Sequence, residues 1–404
     1  MTTASRSDSV RGGGRETGGR FIETDEQKAL RAAVAALATK YNYRDYVLPK
    51  ARKGEPLDEL WQEAGKLGFL GVNLPEEYGG GGAGMYELSL VMEELSAQGA
   101  GLLLMVVSPA ICGTIITKYG TDEQKQEWLP KLADGSGKMV FGITEPDAGS
   151  NSHQITTTAR RDGDDWILNG RKIFISGVDQ AEAVLIVART SDHKTGKLKP
   201  ALFIVPTEAE GFTKTAQEMD IIEPDHQYNL FLDDVRLPST ALVGKEDAAL
   251  MQLFAGLNPE RIMGAAMAVG MGRYAIERAV EYAKERTVWK TPIGAHQGIS
   301  HPLAQVKVEV ELAKLMMQKA ATLYDAGDEM GAAEAANMAK YAAAEASIKA
   351  LDQAVQTHGG SGLTKDVGLA AMLAAARIGR IAPVSREMVL NFVAQYSLGL
   401  PKSY

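Results

Sequence analysis

A single cysteine, Cys112, is all the thiol this chain has, which excludes an intramolecular disulfide and any cysteine-built metal cluster. Cys112 sits in an apolar helical run and reads as a buried core thiol rather than a nucleophile. Basic charge is short as well. Lys and Arg number 43 against 51 Asp and Glu, and the formal net charge of -8 argues against a nucleic-acid groove. No apolar segment reaches the roughly 20 residues that span a bilayer. Residues 1–20 are Gly, Ser, Thr and Arg without an apolar period, so the core of a secretory signal is missing. Asp8, Glu16 and the glycine runs also spoil the amphipathic helix of a transit peptide, and the stretch reads as a disordered tail. What is left is a globular, intracellular chain, expected in the cytoplasm. Its 404 residues, 45% hydrophobic, suffice for two or three domains.

The stretch that organises the rest is Phe141-Gly142-Ile143-Thr144-Glu145-Pro146-Asp147-Ala148-Gly149-Ser150-Asn151. An apolar run from Met139 ends in a hydroxyl and a Glu-Pro step, so a strand runs into a loop: Pro146 cannot donate to a ladder and pushes Glu145 out of helical geometry. Gly149 and its small neighbours let backbone N–H groups approach an anionic or planar ligand. A capped strand-to-turn corner is the plainer alternative.

Around that stretch the period changes twice. From Phe21 to about Asp134 it is helical, with Asp25 expected to cap a first helix and Thr121 a later one. Met85–Gln98 and Leu102–Lys118 read as two buried helices. From Lys138 to about Gly244 the period is two. Asn169-Gly170, between Trp166–Leu168 and Lys172–Ser176, is a hairpin signal, and Val184–Arg189, Ala201–Val205 and Tyr228–Leu232 add strands. From Ala248 the helical period returns in four or five helices. The expected class is α+β: an N-terminal helical domain at 21–137, a central antiparallel β barrel or sandwich at 138–245, and a C-terminal helical bundle at 246–404.

The loop 142–151 resembles the first signature of the acyl-CoA dehydrogenase family of flavoenzymes. The likeness extends over about Phe21 to Leu400. Leu74-Pro75-Glu76-Glu77-Tyr78-Gly79-Gly80 is similar to the family's Pro-Glu loop, and 168–176 to its Asn-Gly segment. Arg286–Ile293, His296-Gln297 and Gln356-Thr357-His358-Gly359-Gly360 are similar to its cofactor-binding segments. The resemblance implies FAD. Phe141, Ile143 and Thr144 would line the flavin ring, Phe174 would stack near it where the family more often has tryptophan, and the Ser176 hydroxyl would face N5. Ser150 would touch phosphates, of the cofactor or of the substrate, and Ser385 would join the cofactor set. Arg286 would bind phosphate through its guanidinium fork, beside Trp289, Gln297, Gln356, Gly359 and Gly360. Because the family carries that end of FAD partly on a neighbouring subunit, a homotetramer built as a dimer of dimers is implied.

The implied reaction is α,β-desaturation of an acyl-CoA thioester, with electrons leaving to an electron-transferring flavoprotein. Its base must be a carboxylate with a raised pKa. Most members carry it in a Tyr-Glu-Gly-Thr segment; here the matching residues are Ile381-Ala382-Pro383-Val384-Ser385, with Pro383 in the glutamate's place. A minority of the family, including isovaleryl- and long-chain-type enzymes, uses a Glu-Arg pair on another helix. Leu257-Asn258-Pro259-Glu260-Arg261 matches that pair, making Glu260 the candidate base, with Asn258 and Arg261 on the substrate side. The structural alternative is a helix start with Asn258 as N-cap and Pro259 at the first position. Pro383 also lacks the backbone N–H that the family aims at the thioester oxygen, so the Val384 amide takes over, a flavin ribityl hydroxyl does more, or the chemistry is weakened. A flavin oxidase or monooxygenase on the same scaffold, and a non-catalytic member, remain alternatives. No metal site is expected.

Overall fold

The structure is a computed structural model that describes residues 22–191, 196–246 and 249–402. The expected tail at 1–20, and Phe21 after it, lie outside the described residues. Helix α1 (Asp25–Lys40) is capped by Thr24 instead of Asp25. The Thr24 hydroxyl accepts from the Gln27 N–H at 3.2 Å while the Gln27 side chain accepts from the Thr24 N–H at 3.0 Å. That reciprocal pair satisfies two otherwise orphaned donors, which a lone aspartate cannot do. α2 (Leu48–Ala51), α3 (Asp58–Lys66) and the deeply buried α4 (Met85–Ala97) follow. The run expected as one helix is α5 (Leu103–Met105) and α6 (Thr114–Tyr119), joined by a π-helical stretch, Val106–Gly113, that contains Pro109. α7 (Asp122–Asp134) has the expected Thr121 cap.

The central part is one sheet of eight strands: β1 (Met139–Gly142), β2 (Thr158–Asp162), β3 (Asp165–Ser176), β4 (Ala183–Ser191), β5 (Leu198–Pro206), β6 (Phe212–Gln217), β7 (Gln227–Leu237) and β8 (Leu242–Val243). Its order is β6-β7-β3-β2-β4-β5-β8, with β1 against β4. The sheet is open among the described residues, so the barrel alternative falls, and it is not purely antiparallel, because β1 and β2 both run parallel to β4. It curls enough for Trp166 of β3 to meet Phe203 of β5 edge to face, centroids 5.1 Å apart.

Asn169-Gly170 is not a hairpin turn. β3 passes straight through it at a bulge, and the reversal between β2 and β3 falls earlier, at Gly163, with φ of 64°. Asn169 instead brackets Asp234 on β7, its Nδ2 donating to Oδ1 and its Oδ1 accepting from the backbone N–H, both at 2.9 Å. Gly170 is needed for space: a Cβ there would lie 2.4 Å from the Thr157 hydroxyl oxygen.

The C-terminal part holds α8 (Ala249–Glu285), the short strands β9 (Thr287–Val288) and β10 (Thr291–Pro292), then α9 (Gln297–Asp325), α10 (Glu329–His358), α11 (Leu369–Ala376) and α12 (Arg386–Phe392). Alanines of α10 (Ala335, Ala336, Ala339, Ala343) are buried, which lets long helices pack closely. A charge cluster joins the two helical parts: Glu93 and Glu94 of α4 meet Arg31 of α1 and Arg273 of α8, and Glu93 also meets Lys314 of α9 at 3.1 Å. Among the described residues no helix is long and apolar enough to cross a membrane.

Candidate active site

After β1 the chain leaves the sheet at Ile143 and Thr144 and is stitched to β3 by the Ile173 N–H donating to the Thr144 carbonyl at 2.9 Å. The next residue, Phe174, has φ of 55°, a conformation that costs a non-glycine residue on the order of 1 kcal/mol. The residue is 49% exposed rather than turned into the core. Ser176, two residues on, exchanges hydrogen bonds with the Gln227 amide at 2.9 and 3.1 Å. The structure therefore gathers Ile143, Thr144, Phe174 and Ser176 along one edge of the sheet. Phe141 is buried at 8% exposure in a core with Met139 and Leu185, against which Ile143 also packs. Ser150 lies in the exposed loop beyond.

Sequence reading missed what holds that loop. Glu145 is buried and accepts from the Thr157 N–H at 3.0 Å, the Thr156 hydroxyl at 2.8 Å and Lys172 Nζ at 2.8 Å. Lys172, with 0% exposure, also donates to the Ile143 carbonyl at 3.0 Å. The ammonium beside it holds Glu145 charged, with its pKa down at about 2 against the opposing cost of burial. The available signal was a lysine standing among the apolar residues of a strand.

A second group sits at one end of the helical bundle. Arg286 follows α8, Gln297 opens α9, and Gln356, Gly359 and Gly360 end α10. Tyr282 of α8 stacks on His358 of α10 with centroids 4.4 Å apart, which places these ends together. All six residues of this group are exposed, Trp289 at 87%. Gly359 has φ of 59°, and a Cβ at it or at Gly360 would meet nothing within 4 Å, so the backbone there is open to approach.

The third group surrounds Glu260. Asn258 is not an N-cap, because α8 begins at Ala249 and carries Pro259 in its interior. Pro259 leaves the Ala255 carbonyl without its usual intrahelical donor, and the Tyr324 hydroxyl donates to that oxygen at 3.4 Å. Glu260 faces the Cys112 thiol, Arg261 and Lys340. Burial raises its carboxyl to about 7, with Arg261 and then Lys340 opposing the rise. Arg261 folds back on its own helix, donating to the Leu257 carbonyl at 3.0 Å and reaching Asn258 Oδ1 at 3.5 Å. One turn beyond Glu260, Gly264 leaves room for Pro383, whose Cδ would lie 3.8 Å from a Cβ there. Ser385 caps α12, its hydroxyl accepting from the Met388 N–H at 3.3 Å.

Helices, an open sheet and helices again, in that order, are the architecture of the acyl-CoA dehydrogenase class. Residues 24–136, 140–235 and 251–398 match the N-terminal, middle and C-terminal domains of acyl-CoA dehydrogenase, and the chain belongs to that family. It is 72% identical over 384 residues, 95% of this chain and 99% of the relative, to the acyl-CoA dehydrogenase FadE12 of Mycobacterium tuberculosis. Butyryl-CoA dehydrogenase of Megasphaera elsdenii superposes with a TM-score of 0.88 at 29% identity, covering 94% of this chain and all of that one. A glutaryl-CoA dehydrogenase of Mycobacterium smegmatis, solved with FADH2, gives 0.87 at 28% identity over 95% and 96%. The protein is an oxidoreductase that dehydrogenates acyl-CoA at the α,β position, in a family that depends on FAD.

Proposed function

We propose that Glu260 is the base of this reaction and that FAD lies against the sheet edge at Ile143, Thr144, Phe174 and Ser176, with Phe141 packing behind. The residue types suit the ring: an exposed aromatic face, two hydroxyls and backbone groups at a rigid edge. Bound FAD supplies the acceptor for the β-hydride. This chain supplies the proton acceptor: Glu260 takes the α-proton as the Cα–H and Cβ–H bonds break and Cα=Cβ forms. What supports the assignment is the place of this carboxyl, half-buried on α8 beside Arg261 and Lys340 and one turn from Gly264 under Pro383; burial there raises it to about 7, near the neutral value that favours general-base work. Asn258 and Arg261 would border the substrate, Ser150 the phosphates, and Ser385 the cofactor.

Arg286, Trp289, Gln297, Gln356, Gly359 and Gly360 would hold the pyrophosphate and adenine end of FAD bound to a second subunit, in a homotetramer. Exposed Val308, Leu312 and Leu315, spaced four and three residues apart on α9, supply an apolar stripe for self-association. The reduced enzyme needs an outside acceptor, which we assign to an electron-transferring flavoprotein, with the whole reaction in the cytoplasm. Domain limits at 21–137, 138–245 and 246–404 follow the period changes.

Anaerobic addition of an acyl-CoA panel to wild-type protein and to Glu260→Gln tests the base. Bleaching of the flavin band in wild type, with a loss of about 10²–10⁴-fold in Glu260→Gln that still binds FAD, is the expected result. Bleaching at the wild-type rate in the variant would move the base elsewhere.

A further inference from the structure

We infer that Lys340 is a positioning residue for Glu260, holding the Pro383 turn over α8 and keeping a positive charge beside the base. The inference rests on reading Glu260 as the base. Lys340 is only 3% exposed, on α10 among the buried alanines Ala336, Ala339, Ala343 and Ala344. Its Nζ donates to the Val384 carbonyl, the residue after Pro383, and Pro383 lies against Gly264, one turn from Glu260. One ammonium thus ties α10, the 381–385 turn and the base-bearing stretch of α8.

A neutral side chain could hold that carbonyl. A buried ammonium is far more costly to desolvate, and among the described residues no carboxylate lies within ion-pair distance of it. Its charge is therefore not spent on a local salt bridge. The charged groups facing Lys340 are Arg261 and Glu260 on α8, Glu345 on its own helix and Glu387 on α12. Those facing Glu260 are Arg261 and Lys340, with the neutral Cys112 thiol across from it on the π-helical stretch. The ammonium favours the carboxylate form, so it offsets part of the burial that would otherwise leave the base protonated at neutral pH.

Three variants of the FAD-loaded enzyme separate the two roles. Lys340→Gln keeps a donor for Val384 and loses the charge, Lys340→Arg keeps the charge, and Lys340→Met keeps neither. The readouts are the pH profile of flavin reduction, the infrared titration of the Glu260 carboxyl (assigned by its loss in Glu260→Gln), and Tm. The acid limb and the infrared titration should both move to higher pH in Lys340→Gln and Lys340→Met, and return towards wild type in Lys340→Arg. A lower Tm with limb and band unmoved in Lys340→Gln would reduce Lys340 to a structural role and overturn the inference. An inactive Glu260→Gln alongside that result sinks only Lys340; a fully active Glu260→Gln removes the base and this inference together.

Discussion

Lys172 and Glu145 are separated by 27 residues and meet with almost no water around them. Removing one partner strands the other as a buried charge, so Lys172→Met should cost about 3–5 kcal/mol in denaturant unfolding and loosen the Ile143–Thr144 edge. Glu260 makes the opposite bargain. Its carboxyl is held above its ordinary value, so it is protonated in the native protein at pH 5 and charged above about 7. As a base it works only when charged, and kcat/KM should therefore rise with pH through about 7. As a stability effect the sign reverses. The native state binds this proton more tightly than the unfolded chain does, so the contribution present below the unfolded pKa is lost as pH rises towards 7. Glu260→Gln should therefore raise Tm at pH 8 and change it little at pH 5. Glu260 could be singled out from the chain as the proposed base because Pro383 stands in the family's usual place and a Glu-Arg pair in the other. Lys172 and Lys340 were not legible, since their partners are a loop carboxylate and a turn carbonyl that only folding brings near.

At the scale of elements, local signals read correctly where local groups satisfy them and failed where tertiary contacts decide. Thr121 caps α7 as expected because its partner is three residues away. Asn169-Gly170 has the composition of a hairpin turn, yet its Asn side chain is used by Asp234, 65 residues on, and its Gly makes room for Thr157. Gly170→Ala should push Thr157 out of place and destabilise the sheet, measurable as a fall in Tm with β3–β7 amides exchanging faster. Asn258-Pro259 has the composition of a helix start, but the Tyr324 hydroxyl supplies a donor where Pro259 removes one. Tyr324→Phe leaves the Ala255 carbonyl short of that donor. It should cost about 1–3 kcal/mol, seen as a lower denaturation midpoint with an unchanged m-value.

For the whole molecule, the switch from helical to strand period and back marked out the three-part architecture, because periodicity reports which face is buried. The parallel pairing in the sheet was not marked, because Met139 and its partner Ala183 lie 44 residues apart along the chain and leave no local trace. The cluster of Arg31, Glu93, Glu94, Arg273 and Lys314 works at this same range, bolting α1 and α4 to α8 and α9. Glu93→Gln should weaken both helical parts together, so that their unfolding stays a single transition at lower temperature. Charging the stripe on α9, as Leu312→Lys, should shift the assembly to smaller species in sedimentation.

Trp289 carries one more consequence. Of the chain's 4 tryptophans, Trp61, Trp128 and Trp166 are at most 6% exposed, whereas Trp289 stands 87% bare between β9 and β10. The chain therefore comes with its own optical probe: iodide reaches one indole and not the other three, and any second subunit or adenine end settling over that hairpin will dim or shield its emission without a label being added.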